Sequence, residues 1–157
     1  RNPVPPSPEF KPLKDIGFLP VSDVTKIRFY MDEYRGHRYG SVRAFIQGEQ
    51  YSGPTKAGIT LNAAALEGVI QALSALPAQP QALAEKELAR IPRRMGIELV
   101  VRVTIFKDAT GIDLREWVED QTYKGWSKKG VRIPYEDLPK TIGFLKEMRA
   151  ALAERAQ

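Results

Sequence analysis

A single offset relates one half of this chain to the other. Shifted by 72 residues without a gap, Arg43 falls on Arg115, Tyr51 on Tyr123, Gly53 on Gly125, Lys56 on Lys128 and Gly58 on Gly130. Leu66, Ile70 and Leu73 then fall on Leu138, Ile142 and Leu145. These are eight identities over the 31 positions from Arg43 to Leu73, where ordinary composition predicts roughly two. Tyr34/Phe106, Arg35/Lys107, Phe45/Trp117 and Ile59/Val131 are conservative pairs at the same offset. A long fixed offset predicts two copies of one supersecondary unit, since a solenoid needs three or more short repeats. One unit of about 60 residues is marginal alone, burying only about 60% of its unfolded surface. Two copies completing one core are expected, an intramolecular pseudo-dimer with approximate two-fold symmetry.

Composition removes several chemistries. None of the 157 residues is cysteine, so disulfides, thiol catalysis and thiolate metal sites are excluded. No apolar run reaches the roughly 18 residues of a membrane span, and no signal-peptide pattern is present. An intracellular protein is expected, in the cytoplasm or nucleoid of a prokaryote or virus, or in a eukaryotic nucleus. His37 is the only histidine and sits in an expected turn between Gly36 and Gly40. Asp113 and Glu116 are near in sequence, but strand alternation sends them to opposite faces. No Ser/His/Asp or metal-ligand constellation exists. The expectation is a protein with no catalytic residues, no metal and no cofactor. The formal net charge is +5, which suits a polyanionic partner without demanding one. The second copy is the more densely charged.

Periodicity sets out each copy. Residues 1–12 hold five prolines and predict an extended or disordered, flexible arm over 1–18. Ile27, Phe29 and Met31 alternate with polar residues, then Val42, Ala44 and Ile46 with Ser41, Arg43 and Phe45. A short third strand is expected near Tyr51 and a fourth over 56–61. Asn62 is a helix N-cap for a stripe of Leu66, Val69, Ile70, Leu73 and Leu76. Residues 82–91 predict a helical connector within 78–91, rich in Ala, Leu and Glu. The second copy, over 92–157, repeats the order and ends in a helix from Tyr135 to Ala153, with Pro139 in its first turn. The predicted class is therefore α+β, two tandem β-β-β-β-α units with helices packed together and one face of each sheet left open.

That open face carries a pattern. Alternation groups Arg102, Thr104, Phe106, Asp113, Arg115 and Trp117 in the second copy, and Tyr30, Tyr34, Ser41, Arg43 and Phe45 in the first. Strand ends and loops add Arg35, Arg38, Lys56, Lys107, Lys124, Trp126, Lys128 and Lys129. Flexible single strands need this mixture, because cations follow phosphates while rings stack on unpaired bases. Exposed arginines on a strand can equally be mere solvated edge, and a ring can pack against another protein.

The run Pro54-Thr-Lys-Ala-Gly-Ile-Thr-Leu61 resembles the Pro-x-Arg/Lys-Lys-Gly-Ile-Ser-Leu strand of the positive cofactor four transcriptional coactivator family. Lys128-Lys-Gly-Val-Arg-Ile133 takes that place in the second copy, and Ile112-Asp-Leu-Arg-Glu-Trp117 resembles the family's Ile-Asp-Ile-Arg-Glu-Tyr/Trp strand. Phe106-Lys107 stands at the spacing of its DNA-stacking phenylalanine and adjacent lysine. The first copy diverges, with Tyr34-Arg35 for Phe-Lys, Ala57 at a basic position and Ser52 at a lysine position. The Whirly and Pur-alpha proteins share the general plan. The resemblance implies a covalent version of a dimer that holds single-stranded DNA across paired curved sheets. It implies ligand roles for Phe106, Lys107, Arg115, Lys124, Lys128 and Lys129, and for Tyr34, Arg35, Arg43 and Lys56. The expected partner is single-stranded DNA, within the transcription or replication machinery. Single-stranded RNA is one alternative, and a protein-interaction module without nucleic acid is another.

Overall fold

The computed structural model describes residues 10–79 and 84–154. The prolines at 3, 5, 6 and 8 of the expected arm, and residues 80–83 of the expected connector, lie outside the described residues. Strands β1 (Lys14–Pro20), β2 (Thr25–Tyr34), β3 (His37–Gln47) and β4 (Ser52–Leu61) precede helix α1 (Ala63–Ser74). Strands β5 (Lys86–Arg94), β6 (Ile97–Phe106), β7 (Ala109–Glu119) and β8 (Lys124–Pro134) precede a 3-10 turn (Tyr135–Asp137) and helix α2 (Leu138–Ala153). Each four-stranded sheet is an antiparallel meander in chain order. The class is α+β with two tandem four-strand-plus-helix units, as the repeat predicts.

Two strand assignments differ from the expectation, and the differences cancel in the count. The separate third and fourth strands are one strand, β4, interrupted by a bulge. The missing strand is β1, which starts inside the expected arm and runs past its end to Pro20. Its counterpart in the second copy is β5, where a helical connector was expected. The residues of β5 favour helix in isolation, but pairing with the edge of β6 decides their conformation. The offset of 72 already held the signal: Lys14 falls on Lys86 and Pro20 on Pro92.

The irregularities repeat as well. Ile16 in β1 and Leu88 in β5 are skipped in pairing with β2 and β6. Opposite Ala44 of β3, three residues of β4 bulge out, Thr55, Lys56 and Ala57. Opposite Glu116 of β7, the three are Ser127, Lys128 and Lys129. Each bulge is tied by the same bond, Ala57 N–H donating to Thr55 Oγ1 at 3.1 Å and Lys129 N–H to Ser127 Oγ at 3.0 Å. Bulges bend a strand and re-aim its side chains.

The Asn62 carboxamide accepts from Ala65 N–H at 2.8 Å and starts α1 as expected. Each helix crosses to the other unit's sheet. Gly68 of α1 meets Ile91 of β5, while Phe144 and Met148 of α2 lie over Gly17 and Gly40 of the first sheet. The contact at Gly40 is close: a Cβ there would stand 2.1 Å from the Met148 sulfur, so Met148 would have to shift. The helices touch, and Arg149 bonds Glu67 between them at 2.9 Å. One buried cluster draws on both units, with Phe29, Leu66 and Leu73 beside Leu99, Leu114 and Leu145.

Candidate nucleic-acid interface

Two matched hairpin tips, β2–β3 and β6–β7, each carry an exposed ring. Chain reversal between β2 and β3 uses Arg35 and Gly36, at φ +51° and +80°. Between β6 and β7 it uses Lys107 and Asp108, at φ +49° and +65°. Positive φ at both central residues defines the tight turn that matches strand twist. Gly or Asn would suit it best, and a long basic residue there costs roughly 1–2 kcal/mol. Both copies nevertheless carry a cation, each beside the preceding ring. Arg35 lies 5.1 Å from the Tyr34 ring centre and Lys107 lies 5.4 Å from that of Phe106. Tyr34 is 60% exposed and Phe106 is 62% exposed.

The second sheet's outer face is a bonded lattice. Asp113 is buried between two guanidiniums, Arg102 at 2.9 Å and Arg115 at 3.1 Å. Arg102 also covers the Trp126 ring at 4.0 Å. Trp126 meets its cross-strand partner Trp117 edge-on, with ring centres 4.8 Å apart, and Arg90 stands 5.7 Å from Trp117. Both tryptophans are half-buried, so Trp117 offers a base less ring than the expectation of an open face allowed. Lys124, Lys128 and Lys129 stand exposed along β8, with Lys124 3.8 Å from Glu119. Two backbone amides, from Thr122 and Tyr123, hold the Asp120 carboxyl below the usual range and shape the turn into Lys124.

Repeated glycines clear the way for repeated arginines. Arg43 lies opposite Gly58 and Arg115 opposite Gly130. A Cβ on Gly130 would stand 2.8 Å from Arg115 Cγ, which the side chain cannot swing away from easily. Gly130→Ala should therefore destabilise the chain by about 1–3 kcal/mol through overpacking, read by chemical denaturation. The repeated tyrosines brace the same segment. Tyr51 donates to the Pro54 carbonyl and Tyr123 to that of Trp126, both at 2.6 Å.

The first sheet differs from expectation. Phe45, together with Tyr30 and Ser41, is not open: Phe45 and Tyr30 are each 7% exposed. Phe10, ahead of β1, packs edge-on against Tyr30 at 5.0 Å and Phe45 at 5.1 Å. Arg28 closes the cluster, 4.8 Å from the Phe10 ring and 5.2 Å from that of Phe45. Phe45 is thus removed from the open set by a side chain of the proline-rich arm. Arg43 is half-buried, with Nη1 donating to the Thr55 carbonyl at 2.8 Å, while Lys56 is exposed on its bulge.

Sequence reasoning missed Arg93 and Arg94. They fall on Val21 and Ser22 at the repeat offset, so the second copy alone carries them. Glu116, an exception on the apolar face of its strand, is explained by Arg93, whose Nε lies 3.7 Å from its carboxylate. Among the described residues no group of three His, Asp or Glu side chains gathers as a metal site. Among them, too, no helix is long and apolar enough to cross a membrane.

A scan of family models and a search of curated proteins find no match to this chain. Fold and surface define the class without them: a duplicated α+β protein with an asymmetric basic and aromatic outer face.

Proposed function

We propose that this protein binds single-stranded DNA with little sequence preference, as an accessory factor in transcription or DNA metabolism of the positive cofactor four type. In this reading the two units act as an intramolecular pseudo-dimer, supported by each helix packing on the other unit's sheet. One observation carries the function: both hairpin tips present an open ring with a cation beside it, the cation standing at a positive-φ position where Gly or Asn would suit the turn better. Strain kept at matched positions points to use of those side chains. Phe106 and Tyr34 stack on bases, and Lys107, Arg35, Lys124, Lys128 and Lys129 neutralise phosphates. A duplex hides its base faces and should bind more weakly. No enzymatic step is assigned.

The test is an anisotropy titration with single- and double-stranded oligonucleotides at 50 and 200 mM salt. Single strands should bind tighter, with strong salt dependence. Phe106→Ala should lose about 1–3 kcal/mol, roughly 5- to 150-fold in affinity, with the fold intact. Equal binding of duplex would sink the reading, and no salt-dependent binding of oligonucleotides would favour a protein-interaction module. Competition between DNA and RNA of equal length separates the two nucleic acids, since stacking ignores the 2′-hydroxyl.

A further inference from the structure

Between the two sheets, where β4 and β8 approach, lies a groove of about 420 Å³. That volume falls within the range of small-ligand sites. Its walls carry cations from four strands. Lys56 comes from the β4 bulge, Lys128 and Lys129 from the β8 bulge, Arg43 from β3, and Arg93 with Arg94 from β5. Glu116 is the one carboxylate among the lining residues. Six positive side chains around one acid leave a strong local excess that only a multiply charged anion would offset.

The floor is built rather than incidental. Pairing of β5 with β6 skips Arg93, a second bulge with no counterpart in β1. That bulge turns Arg93 toward Glu116, itself the residue skipped in β7. Arg93 Nη2 donates to the Thr60 carbonyl at 2.6 Å and reaches Thr60 Oγ1 at 3.3 Å, joining the two sheets. Its side chain is 11% exposed, and its buried Nη1 has no hydrogen-bond partner among the described residues. Burial pushes the guanidinium below its usual range despite Glu116. A buried cation held this incompletely is stabilised by an anion placed next to it.

We infer that this seam is a site for consecutive phosphate groups, with Arg93 as the fixed charge at its floor and Lys56, Arg94, Lys128 and Lys129 as the exposed contacts. The phosphates are those of a nucleic-acid backbone crossing between the sheets or of a free oligophosphate. The inference rests on the single-strand reading for the first source only, and it requires no base.

The experiment uses the full chain, with inorganic tripolyphosphate and an abasic single-stranded oligonucleotide as separate probes. Lys56→Gln with Arg94→Gln is the main variant, since both residues are exposed and neither holds the fold. The unmodified chain should show a melting temperature that rises with probe concentration, as binding to the folded state requires. The double variant should bind each active probe at least tenfold more weakly, and its salt slope for the abasic strand should fall by roughly 1.4. Arg93→Met, measured at a temperature where it remains folded, should weaken the same probe. A response to tripolyphosphate alone assigns the site to free oligophosphate, and a response to the abasic strand assigns it to the backbone. No response to either probe, or equal responses in the unmodified chain and the double variant, overturns the inference. Should oligonucleotides with bases still bind and still lose affinity on Phe106→Ala, the stacking surface survives that failure.

Discussion

Replacing Lys107, Lys128 and Lys129 together by alanine should lower the slope of log affinity against log salt by roughly 2 for a single-stranded oligonucleotide, at about 0.7 per phosphate contact. Between 200 and 50 mM salt the unmodified chain should then gain roughly twentyfold more affinity than the variant. The three lysines are exposed and far from the shared core, so the melting temperature should hold. They also stand on rigid supports. Lys107 sits in a two-residue turn, and Lys128 and Lys129 lie on a bulge closed by Ser127. Cations on such supports lose less freedom on binding than cations on loose loops. Anisotropy titrations at several salt concentrations measure the slope directly. An unchanged slope would remove these residues from the interface.

Asp113→Ala should have the largest effect on stability. The carboxylate side chain is 4% exposed and takes bonds from Arg102 at 2.9 Å and from Arg115 at 3.1 and 3.2 Å. Its removal leaves two guanidiniums side by side with no counter-charge between them. Breaking a buried pair costs about 3–5 kcal/mol, and the low end applies because the arginines retain water. Their side chains are 27% and 26% exposed. A loss of about 3 kcal/mol lowers the melting temperature by roughly 6–12 °C in a chain of this length. Binding should move the other way. With the acid gone, the outer face gains positive charge, and the salt slope for single strands should steepen. A variant that melts lower yet binds tighter at low salt would separate the role of Asp113 in holding the arginines from any contact with ligand. Loss of both together would show that the bonded arrangement of Arg102, Arg115 and Trp126 is itself the binding surface.

The comparison of sequence with structure turns on partners distant along the chain. The cap at Asn62 and the helix stripes through Leu66 and Leu138 were legible because they depend on neighbours three or four residues away. The ring and cation at each hairpin tip were legible for the same reason, being adjacent residues. β5 was misread because its local preference is helical and its strand partner β6 is a separate element. The seam was invisible because Arg93 meets Thr60 across 33 residues and Glu116 across a pair of bulges. Bulges leave no composition signature of their own. Matched Lys56 and Lys128 marked their place, yet nothing local said that both would face one groove.

Local pattern alone determined the duplication, the two central strands and closing helix of each copy, and the ring beside a cation at each matched hairpin tip. Alternation and capping act over a few residues, and the 72-residue register carried them from one copy to the other. Tertiary structure decided which outer face is open. Phe10 seals the rings of the first sheet, and the second sheet keeps its tryptophans half in contact with solvent. That choice depends on a ring packing against strands well beyond it in the chain, a contact whose free energy exists only once β2 and β3 have paired.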